Sequence, residues 1–315
     1  SAVSFSISGI GWIKILLQSD FNPNTISSSV IDVQNIVFNF HKSQEEIRLG
    51  KLHISALDSV IIVDSIKYHL SINDEQFFAK SQFRQTRSLL DISQIKIIGF
   101  DLLSLLERNT YSARKISIQD VFADILLNKD KLTDEKAPNP HMPNEVFPSM
   151  KETIKIDSLE IINGHLKYSE RFDINAAPGV ITFNKFNISV SGIANHTAQP
   201  ETTIIRGDGL FMNSAAMKVF MAIHLTSKDF SLRYSGTVGK MNVAELNAFL
   251  EPVENRQVKS GVIQSANYNI NVNSGQASGN LHVAYNDLAI AVSNKNTLVD
   301  KVLLNRISNF LGHMF

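Results

Sequence analysis

The sequence has no cysteine, few charged residues and no apolar run near its start that is long enough to span a bilayer. The absence of cysteine excludes disulfides, thiolate catalysis and zinc–thiolate sites. Charged residues make up 19% of the chain, and thirty basic residues balance thirty acidic ones. A formal net charge of zero argues against the clustered basic field that nucleic-acid binding needs. The apolar run at residues 9–17 is short and contains Lys14.

Catalytic and metal-binding patterns are also lacking. The nine histidines are scattered, and none has the HExxH spacing or lies in a cluster of His, Asp and Glu with ligand spacing. The sequence contains neither a GxSxG nucleophile elbow nor a phosphate-binding loop. We therefore predict a protein that is not an enzyme, holds no metal and needs no cofactor.

Alternation of apolar and small polar residues is what the chain has in abundance. This period-two pattern predicts a mainly β protein, and it is clearest at residues 260–292, where large apolar residues alternate with Asn and Ser. A short helical segment is predicted at 101–107. The pattern predicts strands at 30–40, 47–57, 66–72, 90–98, 115–127, 186–190, 219–223, 230–234, 268–272 and 281–292.

Three local patterns give more specific predictions. Residues 154–168 contain the dipeptide Asn163-Gly164, which predicts a hairpin with a two-residue turn. Asn242 and Glu245 predict a capping box at the start of a helix that Pro252 ends. A unit of the form "apolar-x-apolar, two or three residues, apolar-x-apolar" recurs, and we interpret each copy as a strand pair of a repetitive, elongated sheet. The copies lie at 47–57, 90–98, 115–127 and 154–162.

The chain divides into four regions. Residues 1–132 form a β-rich N-terminal region, and residues 133–150, with four of the eight prolines, form a linker or a long excursion. Residues 151–296 form a second β module. Residues 297–315 have an amphipathic pattern that predicts a C-terminal helix, which packs against the sheet or lies on a membrane surface or a partner. Its apolar stripe consists of Val299, Leu303, Ile307, Phe310 and Met314.

Four stretches of the second half carry a family resemblance. They are IKIDSLEIINGHLKYSE (154–170), FNKFNISVSGIA (183–194), FSLRYSGTVGKMNVAELNAFLEPV (230–253) and SGVIQSANYNINVNSGQASGNLHVAYNDLAIAV (260–292). The third contains an LN-x-[FL]-L-x-P pattern at residues 246–252, and the fourth a G-x-L-x-x-x-Y-x-[DN]-L pattern at residues 279–288. In these patterns the chain resembles the AsmA-like proteins of the bacterial envelope, which are related in architecture to TamB and to bridge-like lipid-transfer proteins.

The resemblance implies an elongated, strongly curved antiparallel sheet, in the form of a repeating β-groove or an open barrel-like sheet, with a few short helices. It also implies a non-enzymatic function in phospholipid transport or outer-membrane homeostasis. The expected partners are phospholipid or another acyl-chain lipid and envelope proteins, with no nucleic acid. The expected location is the periplasm, with an inner-membrane anchor preceding the first residue of this chain.

An apolar groove needs inward-facing side chains, and the alternating segments supply candidates. The alternative is a structural or adhesive β-scaffold or binding module with a closed core, because a dry core and a wide groove give the same period-two pattern. The candidates for lining a lipid groove are Phe186, Ile188, Val190, Phe230, Leu232, Tyr234, Tyr268, Ile270, Val272, Leu281, Val283 and Tyr285.

Overall fold

The computed structural model describes residues 3–8, 30–137, 141–196 and 202–292, and most of them lie in β-strands. The mainly β prediction is therefore confirmed. The predicted C-terminal helix and most of the first 29 residues lie outside the described residues. The strands are β1 (Val3–Ser8), β2 (Val30–Phe40), β3 (Glu45–Ser55), β4 (Val60–Leu70), β5 (Gln85–Ile98), β6 (Thr110–Asn128), β7 (Thr153–Arg171), β8 (Gly179–Ala194), β9 (Thr203–Phe211), β10 (Ala215–Ile223), β11 (Ser231–Val238), β12 (Met241–Asn242), β13 (Arg256–Asn273) and β14 (Gln276–Val292).

All fourteen strands belong to one sheet. Strands β1 to β11 follow one another in chain order, β13 pairs with β11, and β12 and β14 both pair with β13. Each pair is antiparallel except β6 and β7, which run parallel. The prediction of an antiparallel sheet is thus wrong at this one pair, and the sheet is mixed. In the described part of the chain β1 and β14 do not pair with each other, so the sheet is open.

The parallel pair explains the proline-rich stretch. Two parallel neighbours must be joined by a connection that returns to the starting end of the first strand, which takes a dozen or more residues. Residues 129–152 form this connection, and a short helix, α3 (Pro143–Ser149), lies within it. The Asn144 side chain donates to the carbonyl oxygen of Ser227 at 3.0 Å. The stretch at 133–150 is therefore a crossover inside one sheet, while the division of the chain into modules stays a prediction.

The remaining helices are short. Helix α1 (Asp74–Ala79), which the sequence analysis did not predict, connects β4 to β5. Helix α2 (Leu102–Arg108) connects β5 to β6 and confirms the helical segment predicted at 101–107. A 3₁₀ turn (Val243–Leu246) leads into helix α4 (Asn247–Glu254).

The start and end of the segment at 242–254 differ in part from the predicted capping box and proline stop. Asn242 does cap the 3₁₀ turn, since its side chain accepts from the backbone N–H of Ala244 at 3.0 Å. Glu245 instead accepts from the Ser214 hydroxyl. Pro252 lies inside α4, which ends at Glu254 because Asn255 takes a left-handed conformation. The expected roles of Glu245 and Pro252 are therefore wrong.

The predicted hairpin at 154–168 is also wrong, because β7 continues without a turn from Thr153 to Arg171. Asn163 has a positive φ of 55°, and the pairing with β8 shifts register on both sides of Gly164. The Asn-Gly dipeptide therefore forms a β-bulge inside one strand, which needs the same left-handed conformation that a tight turn needs. The recurring units at 47–57, 90–98 and 115–127 likewise fall mostly within single strands, and their two-residue spacers mark distortions.

These distortions form a line across the sheet, which we call the kink line. Left-handed residues occur inside five of the strands from β2 to β8, with φ between 50° and 55°, although such values are uncommon outside glycine. In β2 to β6 the paired registers place the kink residues opposite one another, with Gly50 and Ser93 on the strands between. The line continues through β7 and β8. Its left-handed members are Asn35, Ser65, Asp120, Asn163 and Lys185.

The kink line also corrects the alternation of side chains. A left-handed residue inside a strand shifts the alternation of side chains by one position. Apolar residues three apart in the sequence therefore lie on the same face instead of on opposite faces. In β4, for example, Val63 and Ile66 flank Ser65 and both pair with apolar residues of β3. The same "x-x" spacing occurs at Ile118 and Val121 around Asp120. The apolar residues on both sides of each kink therefore lie mainly on one face.

Replacing Ser65 by valine tests the kink line. Ser65 has φ of 54°, whereas Ser93 lies opposite it on β5 with an ordinary φ, and both side chains are exposed. Because a β-branched residue is disfavoured at positive φ, we expect Ser65→Val to lower the free energy of unfolding by about 1–2 kcal/mol. Ser93→Val, the matched control, should change it by less than about 0.5 kcal/mol. Urea unfolding measures both, and equal effects would contradict the assignment.

Candidate functional site: an apolar sheet face

The most prominent feature of the sheet is a pair of transverse rows of apolar residues. In each row, every residue is the registered partner of the next, from β2 to β11 and on to β13 and β14. The first row consists of Ile31, Ile54, Ile61, Ile97, Ile116, Leu159, Val190, Ile205, Met221, Tyr234, Ile270 and Gly279. The second row consists of Val33, Leu52, Val63, Ile95, Ile118, Ile161, Ile188, Gly207, Val219, Gly236, Tyr268 and Leu281.

The two rows share one face of the sheet, which we call the apolar face. They are separated by two residues along each strand, and side chains two apart point to the same side. Twelve strands at a spacing of about 4.8 Å give each row a length of about 53 Å, which exceeds the hydrocarbon thickness of a bilayer, about 30 Å. Both rows contain only apolar residues and glycine.

The opposite face is polar. The residues between the two rows also form a registered row, which is polar except for Ile62 and Phe220. Hydrogen bonds and ion pairs link its neighbours: His53 Nδ1 lies 3.0 Å from Asp32 Oδ1, and Ser117 Oγ donates to Glu160 Oε1 at 2.5 Å. Lys115 Nζ lies 2.8 Å from the same Glu160 oxygen. The sheet is therefore amphipathic across its whole width.

The apolar face is incompletely buried. Only Ile31, Val33 and Tyr234 among the large residues of the two rows fall below a tenth exposed, at 9%, 5% and 7%. The other large side chains of the rows are half-buried. A closed core buries most of its members almost completely, so most of the apolar face lacks the cover that a second layer would provide.

One end of the apolar face does have a closed core. The 3₁₀ turn and α4 lie against it, and Ala215, Met241, Val243, Leu246 and Val258 form a cluster with exposures from 0% to 9%. The Asn247 side chain binds both backbone groups of Val258, accepting from its N–H at 2.8 Å and donating to its carbonyl at 2.9 Å. The LN-x-[FL]-L-x-P motif therefore supplies part of this core and its anchor to β13.

The structure places most of the predicted groove residues together on the apolar face. Phe230 is different, because it precedes β11 and lies outside any strand. Tyr285 pairs with Ile263 beside a register shift and is 47% exposed. The candidates that share the apolar face by register and alternation are Phe186, Ile188, Val190, Leu232, Tyr234, Tyr268, Ile270, Val272, Leu281 and Val283.

Sequence reasoning missed the first half of this face. No candidate was drawn from β2 to β7, although those strands supply half of each row. The recurring apolar-x-apolar unit indicated these residues. Its spacer was interpreted as a break between two strands, whereas it is a distortion within one strand that leaves both apolar pairs on the same face.

Glycines on the apolar face accommodate large neighbours. A Cβ on Gly164 would lie 2.1 Å from the Phe186 ring, and one on Gly236 would lie 2.4 Å from the Tyr268 hydroxyl. A Cβ on Gly279 would lie 2.9 Å from Ile270 Cγ1. The large side chains therefore lean over the glycines of adjacent strands, which broadens the apolar cover of the backbone.

Tyrosines supply the polar atoms of this face. The rings of Tyr234 and Tyr268 are 6.0 Å apart, and burial raises the pKa of both hydroxyls, with a smaller contribution from Tyr234 at Tyr268. Near the strand ends Tyr68 donates to Glu45 at 2.6 Å, and Tyr168 donates to Glu170 at 2.7 Å. Burial, followed by the bond to Glu45, raises the pKa of Tyr68 to about 12, so this hydroxyl stays protonated at neutral pH.

The polar face carries an open depression of about 1030 Å³ across β7 to β11 and β13. Its charged lining residues are Glu160, Arg206, Asp208 and Lys218, all of which alternate with members of the second row and so belong to the polar face. The guanidinium of Arg206 stacks on Phe220 at 5.5 Å. The two acids balance the two bases, so the depression has no net charge to select an ion.

The described residues contain no group of three His, Asp or Glu side chains placed to bind a metal ion. Within the same part of the chain, no helix is both long and apolar enough to cross a bilayer. Comparison with known proteins adds no assignment, because no protein-family model and no curated protein matches this chain.

Substitution of Gly164 tests the packing of Phe186 on the apolar face. All three nearest neighbours of a Cβ at Gly164 are Phe186 ring atoms, so we expect Gly164→Ala to lower the free energy of unfolding by about 1–3 kcal/mol. In a Phe186→Ala background the same change should cost less than about 0.5 kcal/mol, because the overlap is gone. Gly207→Ala is the control, since a Cβ there meets nothing closer than 3.4 Å. Equal costs in both backgrounds, measured by urea unfolding, would contradict the contact.

Proposed function

We propose that the protein is a non-enzymatic lipid-binding protein of the bacterial envelope, whose curved apolar face holds acyl chains and aids phospholipid transport or outer-membrane homeostasis. The observation that carries the proposal is the pair of apolar rows that cross twelve strands while most of their side chains remain half-buried. The resemblance of residues 154–292 to AsmA-like proteins supports the same function and a periplasmic location.

The energetics favour an apolar ligand. Exposing a methylene group to water costs about 0.8 kcal/mol, so an acyl chain of about sixteen carbons costs about 12 kcal/mol to carry unprotected. The half-buried Ile, Leu and Val side chains of the apolar face also contact water, which is unfavourable in free energy. An acyl chain on the two rows would remove both surfaces from water at once.

The kink line supports curvature. A bulge bends its strand and increases the local twist. Here the left-handed residues of β2, β4, β6 and β7 lie at one level, and that of β8 lies two residues away, so the bends add across the sheet rather than cancel. A sheet bent along one line forms a trough. The depression at β7 to β13 lies on the polar face, so the proposed acyl-chain contact at those strands is with the opposite, apolar surface.

A closed-core scaffold is the competing function. The core at α4 and a smaller buried cluster of Ile31, Val33 and Ile36 on β2 favour it locally, but the two clusters lie at opposite ends of the apolar face. Partial exposure over the remaining strands favours a binding surface instead, because soluble proteins rarely leave large contiguous apolar patches uncovered without a function. A scaffold predicts no co-purifying lipid, so the two functions give different results in the same experiment.

The experiment compares two double variants that add equal charge to opposite faces. Ile270→Asp with Val283→Asp puts two carboxylates on the apolar face. Asn269→Asp with Ala284→Asp puts two on the polar face of the same strands, where both residues are exposed. Binding of a phospholipid with a fluorescent acyl chain is titrated by the change in emission. We expect the first variant to bind at least about tenfold more weakly, because an acyl chain cannot hydrate a carboxylate.

Two further measurements complete the test. Mass spectrometry of organic extracts from the purified protein should show phospholipid well above a mock purification, and circular dichroism should show that both variants remain folded. Equal affinity of the two folded variants, or no lipid binding by the unmodified protein, would overturn the proposal in favour of the closed-core scaffold.

A further inference from the structure

Strand β14 forms one lateral edge of the sheet over its full length. It pairs with β13 on one side, and among the described residues no strand pairs with its other side. Eleven of the sixteen residues from Gln276 to Ala291 are exposed. Its outward backbone N–H and C=O groups are therefore available to another strand.

The edge has few of the features that normally prevent strand addition. Proteins protect exposed edges with lysine, proline, bulges or very short strands. Between Gln276 and Ala284 the strand is regular, with nine consecutive register pairs to β13, and it contains no lysine, arginine, proline, aspartate or glutamate. The first distortion on β14 comes later, at Asp287, where φ is 51°. Residues 276–284, which we call the open edge, form a flat and uncharged template.

We propose that the open edge pairs antiparallel with the open edge of a second copy of this chain, giving a two-fold symmetric dimer with one continuous sheet. This interaction is separate from lipid binding and does not require it. A second copy suits the edge because uncharged residues meet uncharged residues in every register, so like charges never oppose each other directly. The same patch on both copies makes a closed, isologous interface.

Continuity of the apolar face supports this partner. Both rows run to β14, where the second row ends at Leu281 and the first at Gly279. A two-fold axis perpendicular to the sheet keeps the apolar faces of both copies on the same side. In the register in which Asn280 faces itself, the rows would join across the interface, and twenty-four strands would give them a combined length of about 110 Å. A covering strand of unrelated sequence would end the rows instead.

Symmetry restricts the possible registers. When both apolar faces lie on one side, opposite residues must be separated by an even number along the sequence, so the axis always passes through one residue that faces itself. The self-facing residue is the only position at which one introduced cysteine meets its copy directly. Opposite Cα atoms lie about 4.5–5.5 Å apart in antiparallel pairs, within the about 4.4–6.8 Å that a disulfide spans.

The natural absence of cysteine makes this a clean test. Asn280→Cys, Leu281→Cys, His282→Cys, Val283→Cys and Ala284→Cys are prepared singly, and disulfide-linked dimer is quantified after mild oxidation. We expect one position to form covalent dimer at least about tenfold faster than positions two residues away, since those are farther from their copies. Thr237→Cys, exposed on the interior strand β11, is the control and should remain monomeric.

Charge at the edge gives an independent readout. Asn280→Lys with Ala284→Lys should weaken the dimer at least about tenfold in sedimentation equilibrium, because like charges then oppose each other. Asn267→Lys with Asn271→Lys places the same charge on the same face of β13 and should leave it unchanged. Nine residues span only about 31 Å, so we expect dissociation in the micromolar range.

Two results would overturn the pairing. One is a monomer at about 100 µM in sedimentation of lipid-free, unmodified protein, a concentration well above the expected dissociation constant. The other is a dimer that the edge lysines do not weaken and in which no β14 position crosslinks faster than Thr237→Cys. Neither result bears on acyl-chain binding, which the carboxylate variants test separately.

Discussion

The structure depends on keeping most large apolar side chains of a long strand on one face. A strand that bends sharply loses its strict alternation, and a single slip would move half of its apolar residues to the polar face. The left-handed residues of the kink line prevent this slip, because each shifts the alternation of side chains by one position where the strand bends. Short polar residues, Asn35, Ser65, Asp120 and Asn163, hold four of these positions, and Asn and Asp tolerate this conformation best. The same residue thus bends the strand and keeps its apolar side chains on one face.

One consequence is that the described strands provide no second sheet to cover the apolar face. A sandwich buries such a face against a second sheet, but here nearly all described strands follow one another in a single layer. The 3₁₀ turn and α4 close only one end, where Asn247 fixes the helix to β13 through two backbone hydrogen bonds. The amphipathic sheet is therefore stable only if neighbouring side chains shield each other, and the glycines beneath Phe186, Tyr268 and Ile270 increase that shielding.

Much of this could be predicted from the sequence, and the exceptions have physical causes. Alternation predicted most of the strands, though not β1, β9 or β12, and it predicted the common face of β8, β11, β13 and β14. It failed at Asn163-Gly164, because a bulge and a hairpin turn need the same positive φ and local sequence does not distinguish them. The predicted helix end at Pro252 was wrong because a helix ends where its C-cap forms, here at Asn255. The parallel β6–β7 pair depends on long-range pairing, which no local pattern encodes.

For the proposed lipid-binding function, the two borders of the apolar face determine the direction expected of an acyl chain. Along the strands the face ends at polar groups, since Glu45 and Glu170 occupy apolar-face positions by alternation and accept from Tyr68 and Tyr168. Across the strands neither row contains a charge between β2 and β14. Under the proposed function, an acyl chain that followed β3 or β7 would meet a carboxylate near the strand end, whereas one that followed a row would meet only apolar side chains, glycines and one tyrosine ring. We therefore expect such a chain to lie perpendicular to the strands, over a length set by the number of paired strands rather than by the length of any one strand.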